Sequence, residues 1–214
     1  QEFLGESFPE FTGMKLAAGP VGDHRDDLHP EERAAIANAV AKRQHEFATG
    51  RYLARQAMGA LGVPEAPVGR ADDRSPIWPD ACVGSISHTP TLALAAVAHH
   101  DALRGVGVDL EEGDRVVPQL HGKLFTAWER TTYELDDPRC SGLLFSAKEA
   151  AYKAVNPLVG QFIGFQEVEV DVAWPQRRFA VRYVGEHPAN RLLDVGLGYF
   201  GFFQDHVVSL LIIP

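Results

Sequence analysis

One segment of the chain combines acidic side chains with glycines in a pattern that could do chemistry, Gly105-Val106-Gly107-Val108-Asp109-Leu110-Glu111. Its apolar residues alternate with glycines and acids, and this alternation predicts a strand. Because side chains two positions apart in a strand point to the same face, Asp109 and Glu111 project together beside backbone left bare by the glycines. The same two carboxylates could equally form the solvated polar end of a strand that runs into a turn.

A second segment, from Phe145 to Ala154, is rich in residues that favour a helix and carries two lysines and a glutamate. In a helix, Glu149 and Lys153 lie one turn apart on one face, which by itself could be an ordinary surface ion pair. Three carboxylates that converge from both segments would instead make a hard-cation site of the Mg²⁺ type, which binds substrate phosphates. The lysine would then attract an anionic substrate.

Together the segments resemble the signature of the 4′-phosphopantetheinyl transferases. Gly107 to Glu111 is similar to the family's strand pattern G-[IV]-D-x-E, and Phe145 to Lys153 is similar to its helix pattern [FW]-[ST]-x-K-E-[AS]-x-x-K. Upstream, Gly84 to Thr89 is similar to an S-x-[ST]-H element, and Pro76 to Pro79 to a P-I-W-P loop. The stretch Arg51-Tyr52-Leu53-Ala54-Arg55 is similar to the family's coenzyme A-binding helix. These matches follow the family's order along the chain.

The resemblance implies an enzyme that moves the phosphopantetheine arm of coenzyme A onto a serine of an acyl or peptidyl carrier protein. The other product would be 3′,5′-adenosine bisphosphate. Asp109, Glu111 and Glu149 would hold Mg²⁺, with Mn²⁺ as an alternative ion and the number of ions left open. Asp109, Glu149 and Lys153 would be catalytic, and either Glu149 or a metal-bound water would take the serine proton. Since Leu110 is apolar, water or Glu149 must complete the metal shell.

The contacts to coenzyme A, as a substrate, follow from the same resemblance. They are expected from Arg43, Arg51, Arg70, Ser87, His88, Lys148 and Lys153. Arg43 and Arg51 lie about two turns apart on one predicted helix, and forked arginine donors suit the 3′-phosphate and the pyrophosphate. The competing interpretations are that exposed arginines on a helix serve solubility and that a lone histidine is a structural hydrogen-bonding group.

Helices and mostly antiparallel strands in separate runs predict an α+β fold. A helix is expected from Glu31 to about Ala60, interrupted near Gly50, and loop with short extended pieces over 63–81. The resemblance adds two similar α/β halves that form a pseudo-dimer within a monomer. The first half would be residues 1–102, with the coenzyme A helix and His88, and the second residues 103–214, with the metal ligands.

Composition is consistent with such a fold, because 214 residues that are 45% hydrophobic and 23% charged can bury a proper core. Two cysteines are too few for a disulfide framework, and neither a signal peptide nor a membrane-spanning run is visible. We expect a cytoplasmic location, no nucleic-acid partner and no stable membrane insertion. With a formal net charge of −9, the chain should bind an acidic carrier through a local apolar patch, for which Phe125 and Trp128 are candidates.

Two other functions stay open. One is a non-catalytic homologue that binds carrier proteins or coenzyme A, which loss of an acid or of the helix lysine would indicate. The other is a different Mg²⁺-dependent nucleotide enzyme, such as a pyrophosphohydrolase, although the glutamate-rich helix typical of many such hydrolases is missing. For a transferase, siderophore or polyketide biosynthesis is the expected setting.

Overall fold

The computed structural model describes residues 8–214, and any expectation for residues 1–7 lies outside the described part of the chain. The strands are β1 Met14–Pro20, β2 Gly69–Arg70, β3 Pro76–Ile77, β4 Cys82–His88, β5 Leu92–His99, β6 Gly105–Glu112, β7 Val168–Ala173, β8 Arg178–Tyr183, β9 Leu197–Phe203 and β10 His206–Ile213. The α-helices are α1 Pro30–Ala35, α2 Ala41–Ala60, α3 His121–Leu124, α4 Ala127–Thr132 and α5 Pro138–Val159. Short 3-10 turns join several of them. The fold is α+β with small antiparallel sheets, as expected.

Two antiparallel sheets are each covered by one long helix. The first has the strand order β1-β5-β4, and α2 packs on it through apolar side chains such as Leu53 and Met58. The second has the order β6-β10-β9-β8-β7, and α5 packs on it through a core that includes Leu143 and Leu211. Each helix therefore buries its apolar stripe against a sheet face, which is how an α+β fold forms its core.

A third core lies between the sheets, where β4 and β6 run side by side. Val106, Val108 and Leu110 of β6 are buried in this core together with Leu94 of β5 and Leu210 of β10. The alternation seen in the sequence thus holds: one face of β6 is apolar and buried between the sheets, and the other carries the glycines and the acids.

The structure corrects two details of the predicted secondary structure. The long N-terminal helical region is interrupted at residues 36–40 rather than at Gly50, which lies inside α2. A Cβ at Gly50 would lie 2.8 Å from the Ile86 side chain, so this glycine allows close packing on β4 rather than breaking the helix. Strand β9 was not predicted at all, although it occupies the centre of the second sheet.

None of the helices described over residues 8–214 combines the length and the apolar character that crossing a bilayer requires. The division of the chain at residue 102 and the monomeric state stay predictions.

Candidate active site

Close contact between α5 and β6 brings the two chemical segments of the sequence together. A Cβ at Gly107 would lie 1.9 Å from the Ala150 carbonyl oxygen, and a Cβ at Gly105 would lie 2.4 Å from that of Ala154. Only glycine lets the two backbones approach so closely. The residues of α5 beside this contact therefore reach the acidic face of β6.

Lys153 of α5 and Asp109 of β6 form an ion pair, with 2.6 Å between Nζ and Oδ1. Ser87 of β4 joins them, since its hydroxyl donates to Asp109 Oδ1 at 3.0 Å and accepts from Lys153 Nζ at 3.2 Å. The backbone N–H of Leu110 also donates to the Ser87 hydroxyl. The network links the two sheets and α5, so Ser87 serves here to hold Asp109.

Negative charge is concentrated at this point. Burial, with the Asp109 carboxylate as the second cause, raises the pKa of Glu111 to about 7. Burial also raises the pKa of Glu149, against the opposing effect of the Lys153 ammonium. Arg115 lies 3.1 Å from Glu111 Oε2 and offsets part of the charge. Three carboxylates thus share two nearby cations, Lys153 and Arg115, and burial disfavours the charged forms of Glu111 and Glu149.

The oxygen donors of these three acids are of the type that a divalent cation binds. Asp109 Oδ2 is a buried carboxylate oxygen without a hydrogen-bond partner, Glu111 Oε2 is buried beside the Arg115 guanidinium, and hard cations prefer carboxylate oxygen. Among residues 8–214, however, no group of three or more His, Cys, Asp or Glu side chains is already gathered around one point as metal ligands. Because Lys153 pairs with Asp109 Oδ1, an ion would be held through Asp109 Oδ2 and would compete with Arg115 for Glu111 Oε2.

His88, at the end of β4, contacts residues of α2. The Arg43 guanidinium donates to His88 Nε2 and lies 3.4 Å from Glu46 Oε2. Burial, followed by the charge of Arg43, lowers the pKa of His88. Both effects disfavour the charged imidazolium, while Arg43, 47% exposed, keeps donors available to an anion.

Other residues predicted to contact coenzyme A have different positions. Arg51 is buried, donates to the carbonyl oxygens of Val68 and Gly69 at 2.9 Å each, and stacks on Phe47. The Arg51 guanidinium thus supports the loop after α2. Arg70 is exposed and donates to the Ala35 carbonyl oxygen at 3.1 Å.

Lys148 is also placed away from the acids. It is 3% exposed and forms an ion pair with Glu129 of α4 at 2.6 Å. Sequence reasoning missed Glu129, although the spacing Thr126-x-x-Glu129 is a capping-box signature and does cap α4. Phe125, a candidate for carrier docking, is fully buried, so that part of the prediction is wrong, whereas Trp128 is 37% exposed.

A cleft with a volume of about 530 Å³ opens beside Glu149 and Lys153. One wall comes from the loop 73–78 and β4, including Trp78, and the other from α5, including Glu149, Tyr152 and Lys153. A smaller cavity of about 110 Å³ adjoins the same helix and is also lined by Glu149 and Tyr152. Glu149 and Lys153 therefore face space large enough for an extended cofactor arm.

Two family models match the chain. The model described as 4′-phosphopantetheinyl transferase N-terminal domain matches residues 31–98, and the one described as 4′-phosphopantetheinyl transferase superfamily matches residues 105–210. The matched ranges contain both chemical segments and His88.

Known proteins are similar over most of the chain. The 4′-phosphopantetheinyl transferase PptT of Mycobacterium tuberculosis is 37% identical over 158 residues, which are 72% of this chain and 70% of that protein. Svp of Streptomyces mobaraensis, named a 4′-phosphopantetheinyl transferase, is 37% identical over 78% of this chain and 71% of its own length. Enterobactin synthase component D of Escherichia coli is 30% identical over 72% and 73%. The solved holo-[acyl-carrier-protein] synthase of Thermotoga maritima overlaps 52% of this chain and 63% of its own, with 19% identity and a TM-score of 0.40.

Proposed function

Because the chain belongs to the 4′-phosphopantetheinyl transferase superfamily and is a transferase of that class, we propose that it loads carrier proteins from coenzyme A in a Mg²⁺-dependent reaction. A serine hydroxyl of an apo acyl or peptidyl carrier protein forms the new P–O bond to the pantetheine-linked phosphorus. The P–O bond to the nucleotide breaks, and 3′,5′-adenosine bisphosphate leaves. The serine proton passes to a base in the site.

One observation supports this proposal: the Lys153–Asp109 pair connects the buried oxygen Asp109 Oδ2, which has no hydrogen-bond partner, with a cleft that Lys153 and Glu149 line. Mg²⁺ bound by Asp109, Glu111 and Glu149 would supply positive charge to the pyrophosphate, as such ions do for phosphoryl groups. The residues present fit that ion, since all three are carboxylates and the charge they share is incompletely balanced.

The chain's own residues have distinct roles in this proposal. Lys153 holds Asp109 and provides a positive charge toward the leaving phosphate. Glu149, whose side chain lines the cleft, receives the serine proton. Arg43, with His88 beside it, binds the 3′-phosphate, for which the partly exposed guanidinium has free donors. The cleft beside Tyr152 and Trp78 accommodates the remainder of coenzyme A.

The test is to incubate the chain with coenzyme A, Mg²⁺ and an apo-carrier protein and to record the intact mass of the carrier. We expect the carrier to gain the mass of one phosphopantetheine arm, and the gain to disappear with excess chelator or when the carrier serine is replaced by alanine. Coenzyme A hydrolysis without a change of the carrier mass would indicate a nucleotide hydrolase. Binding of carrier or coenzyme A without either reaction would indicate a non-catalytic homologue.

A further inference from the structure

A second ion pair, between Lys148 and Glu129, lies next to the active site in sequence but is buried in the core beneath it. Lys148 is 3% and Glu129 is 0% exposed, and 2.6 Å separate Nζ from Oε2. The Lys148 ammonium also donates to the carbonyl oxygens of Leu124 at 2.9 Å and Phe165 at 2.8 Å. A lysine ammonium has three donors, so each has an acceptor and none remains for a substrate phosphate.

Both carboxylate oxygens of Glu129 also accept hydrogen bonds. Its Oε2 accepts the N–H of Thr126 at 2.8 Å, and its Oε1 accepts the N–H of Val170 in β7 at 3.0 Å. The pair therefore joins five separate parts of the chain: α5, the end of α3 at Leu124, α4 with the residue before it, the turn at Phe165 and the edge strand β7. A fully satisfied buried polar network of this kind favours one arrangement of the elements it joins.

The position of Lys148 on α5 relates this network to the acids. Residues of an α-helix are about 100° apart around the axis, so Lys148 and Ala150 lie on nearly opposite sides. Ala150 is held against Gly107 of β6 by backbone contact. Contacts on both sides of α5 therefore determine its rotation about its own axis. They also determine the direction in which Glu149, between Lys148 and Ala150, projects.

The network also shapes the space beside Glu149. Lys148, Glu149 and Phe165 all line the cavity of about 110 Å³, and Phe162 and Ile163 form the same wall. The Phe165 carbonyl oxygen is one of the three acceptors of Lys148. Loss of this hydrogen bond would allow both the segment around Phe165, which forms the cavity wall, and α5 to shift.

We propose that Lys148 and Glu129 are a positioning pair, which sets the rotation of α5 and the wall at Phe165 so that Glu149 meets Asp109 and Glu111 in the reactive arrangement. This inference rests on the proposed function. It departs from the expectation that Lys148 touches coenzyme A. An ion pair suits this role better than apolar packing, because its hydrogen bonds specify direction while its net contribution to stability can be small.

The test compares the parent with Lys148→Met, Glu129→Leu and the double variant. Lys123→Met, which removes an exposed lysine, is the control for Lys148→Met. Three quantities are measured: the urea midpoint of unfolding, coenzyme A affinity by calorimetry, and turnover of an apo-carrier. Each single variant should lower the urea midpoint, since it leaves one charge buried without its partner, and the double variant should regain it. Lys123→Met should match the parent in all three.

The double variant decides the question. We expect parent-like coenzyme A affinity, within about twofold, together with turnover reduced by roughly tenfold or more, since small misplacements of catalytic groups have large kinetic costs. The Mg²⁺ concentration for half-maximal turnover should rise. Parent-like turnover would show that the pair serves only stability, and lost coenzyme A affinity would show that Lys148 contacts the substrate; either result overturns the proposal.

Should the double variant not fold, Glu129→Gln provides the same comparison, because it keeps the shape and an acceptor for Val170 N–H. Here too, reduced turnover with unchanged coenzyme A affinity supports positioning, and any other combination refutes it. The parent protein tests the proposed function separately. If the parent loads no carrier, the proposed carrier-loading reaction fails, however the variants unfold.

Discussion

Lys153 Nζ lies 2.6 Å from Asp109 Oδ1, so a residue of α5 that lines the cleft and a buried residue of β6, 44 positions apart, form one ion pair. Their pairing has two consequences. It connects the helix and the strand that carry the acids, and in the proposed reaction it would place a cation near the phosphate charge that develops.

Lys153→Met should lower turnover by roughly 100-fold while weakening coenzyme A binding much less, because its charge matters most as the leaving phosphate develops. Steady-state kinetics and calorimetry separate the two effects. Lys123→Met, at an exposed lysine, is the control for loss of a positive charge. If affinity falls in step with kcat/KM while kcat is unchanged, Lys153 is a ground-state contact.

Asp109→Asn should abolish carrier loading yet leave a folded chain, since the amide oxygen can still accept from the Ser87 hydroxyl while the charge is lost. The readouts are carrier mass and circular dichroism. Glu112→Gln removes a neighbouring acid at the end of β6 and should retain near-parent activity. Near-parent rates for Asp109→Asn at millimolar Mg²⁺ would refute the metal assignment.

Stability without divalent cations should fall as pH rises from about 4.5 to about 7, through the effect of Glu111. Its pKa is 4.5 ordinarily and about 7 in the folded chain, so the folded state binds this proton more tightly than the unfolded state. The stabilisation is complete below the unfolded pKa and is lost as pH passes the folded one.

Urea unfolding at several pH values in chelator tests this, with Glu111→Gln as the comparison. The glutamine variant should have the flatter pH profile, and millimolar Mg²⁺ should stabilise the parent more than the variant above pH 7. Parallel profiles for the two proteins would mean that the Glu111 carboxyl titrates normally.

Arg43 and Arg51 should respond differently to alanine substitution. Arg43→Ala should reduce the preference for coenzyme A over its analogue lacking the 3′-phosphate, at a cost of roughly 1.5–3 kcal/mol in binding. Arg51→Ala should instead destabilise the fold, because it leaves the carbonyl oxygens of Val68 and Gly69 without their donor. Competition binding and thermal unfolding give the two readouts, and equal loss of discrimination in both variants would contradict this division.

Trp128→Ala should raise the KM for the carrier and leave the KM for coenzyme A unchanged, provided that this exposed indole contacts the carrier. Trp174, exposed to a similar extent in the turn after β7, offers a matched control. Added salt should weaken carrier binding little, since an apolar patch rather than net charge attracts the partner. A steep loss of affinity with salt and a neutral Trp128→Ala would point to an arginine patch instead.

Local periodicity explains why some features of this protein could be read from its sequence. The alternation in Gly105–Glu112 placed Asp109 and Glu111 on one face, and the spacing of Glu149 and Lys153 placed them on one side of a helix. These are short-range relations, set by the geometry of a single strand or helix. The acids, the helix lysine and the α+β class were therefore accessible without tertiary structure.

Long-range packing determined which lysine of α5 faces the acids and where strand β9 forms. Lys148 and Lys153 lie five residues apart, about 140° around α5, so only one of them can face β6, and the backbone contact between Ala150 and Gly107 determines that it is Lys153. Strand β9, Leu197–Phe203, contains two glycines and lacks clear alternation, and its conformation depends on pairing with β10 and β8 on either side. The side chain that faces β6 and the conformation of β9 both depend on contacts with residues distant in sequence, which no local pattern of side chains specifies.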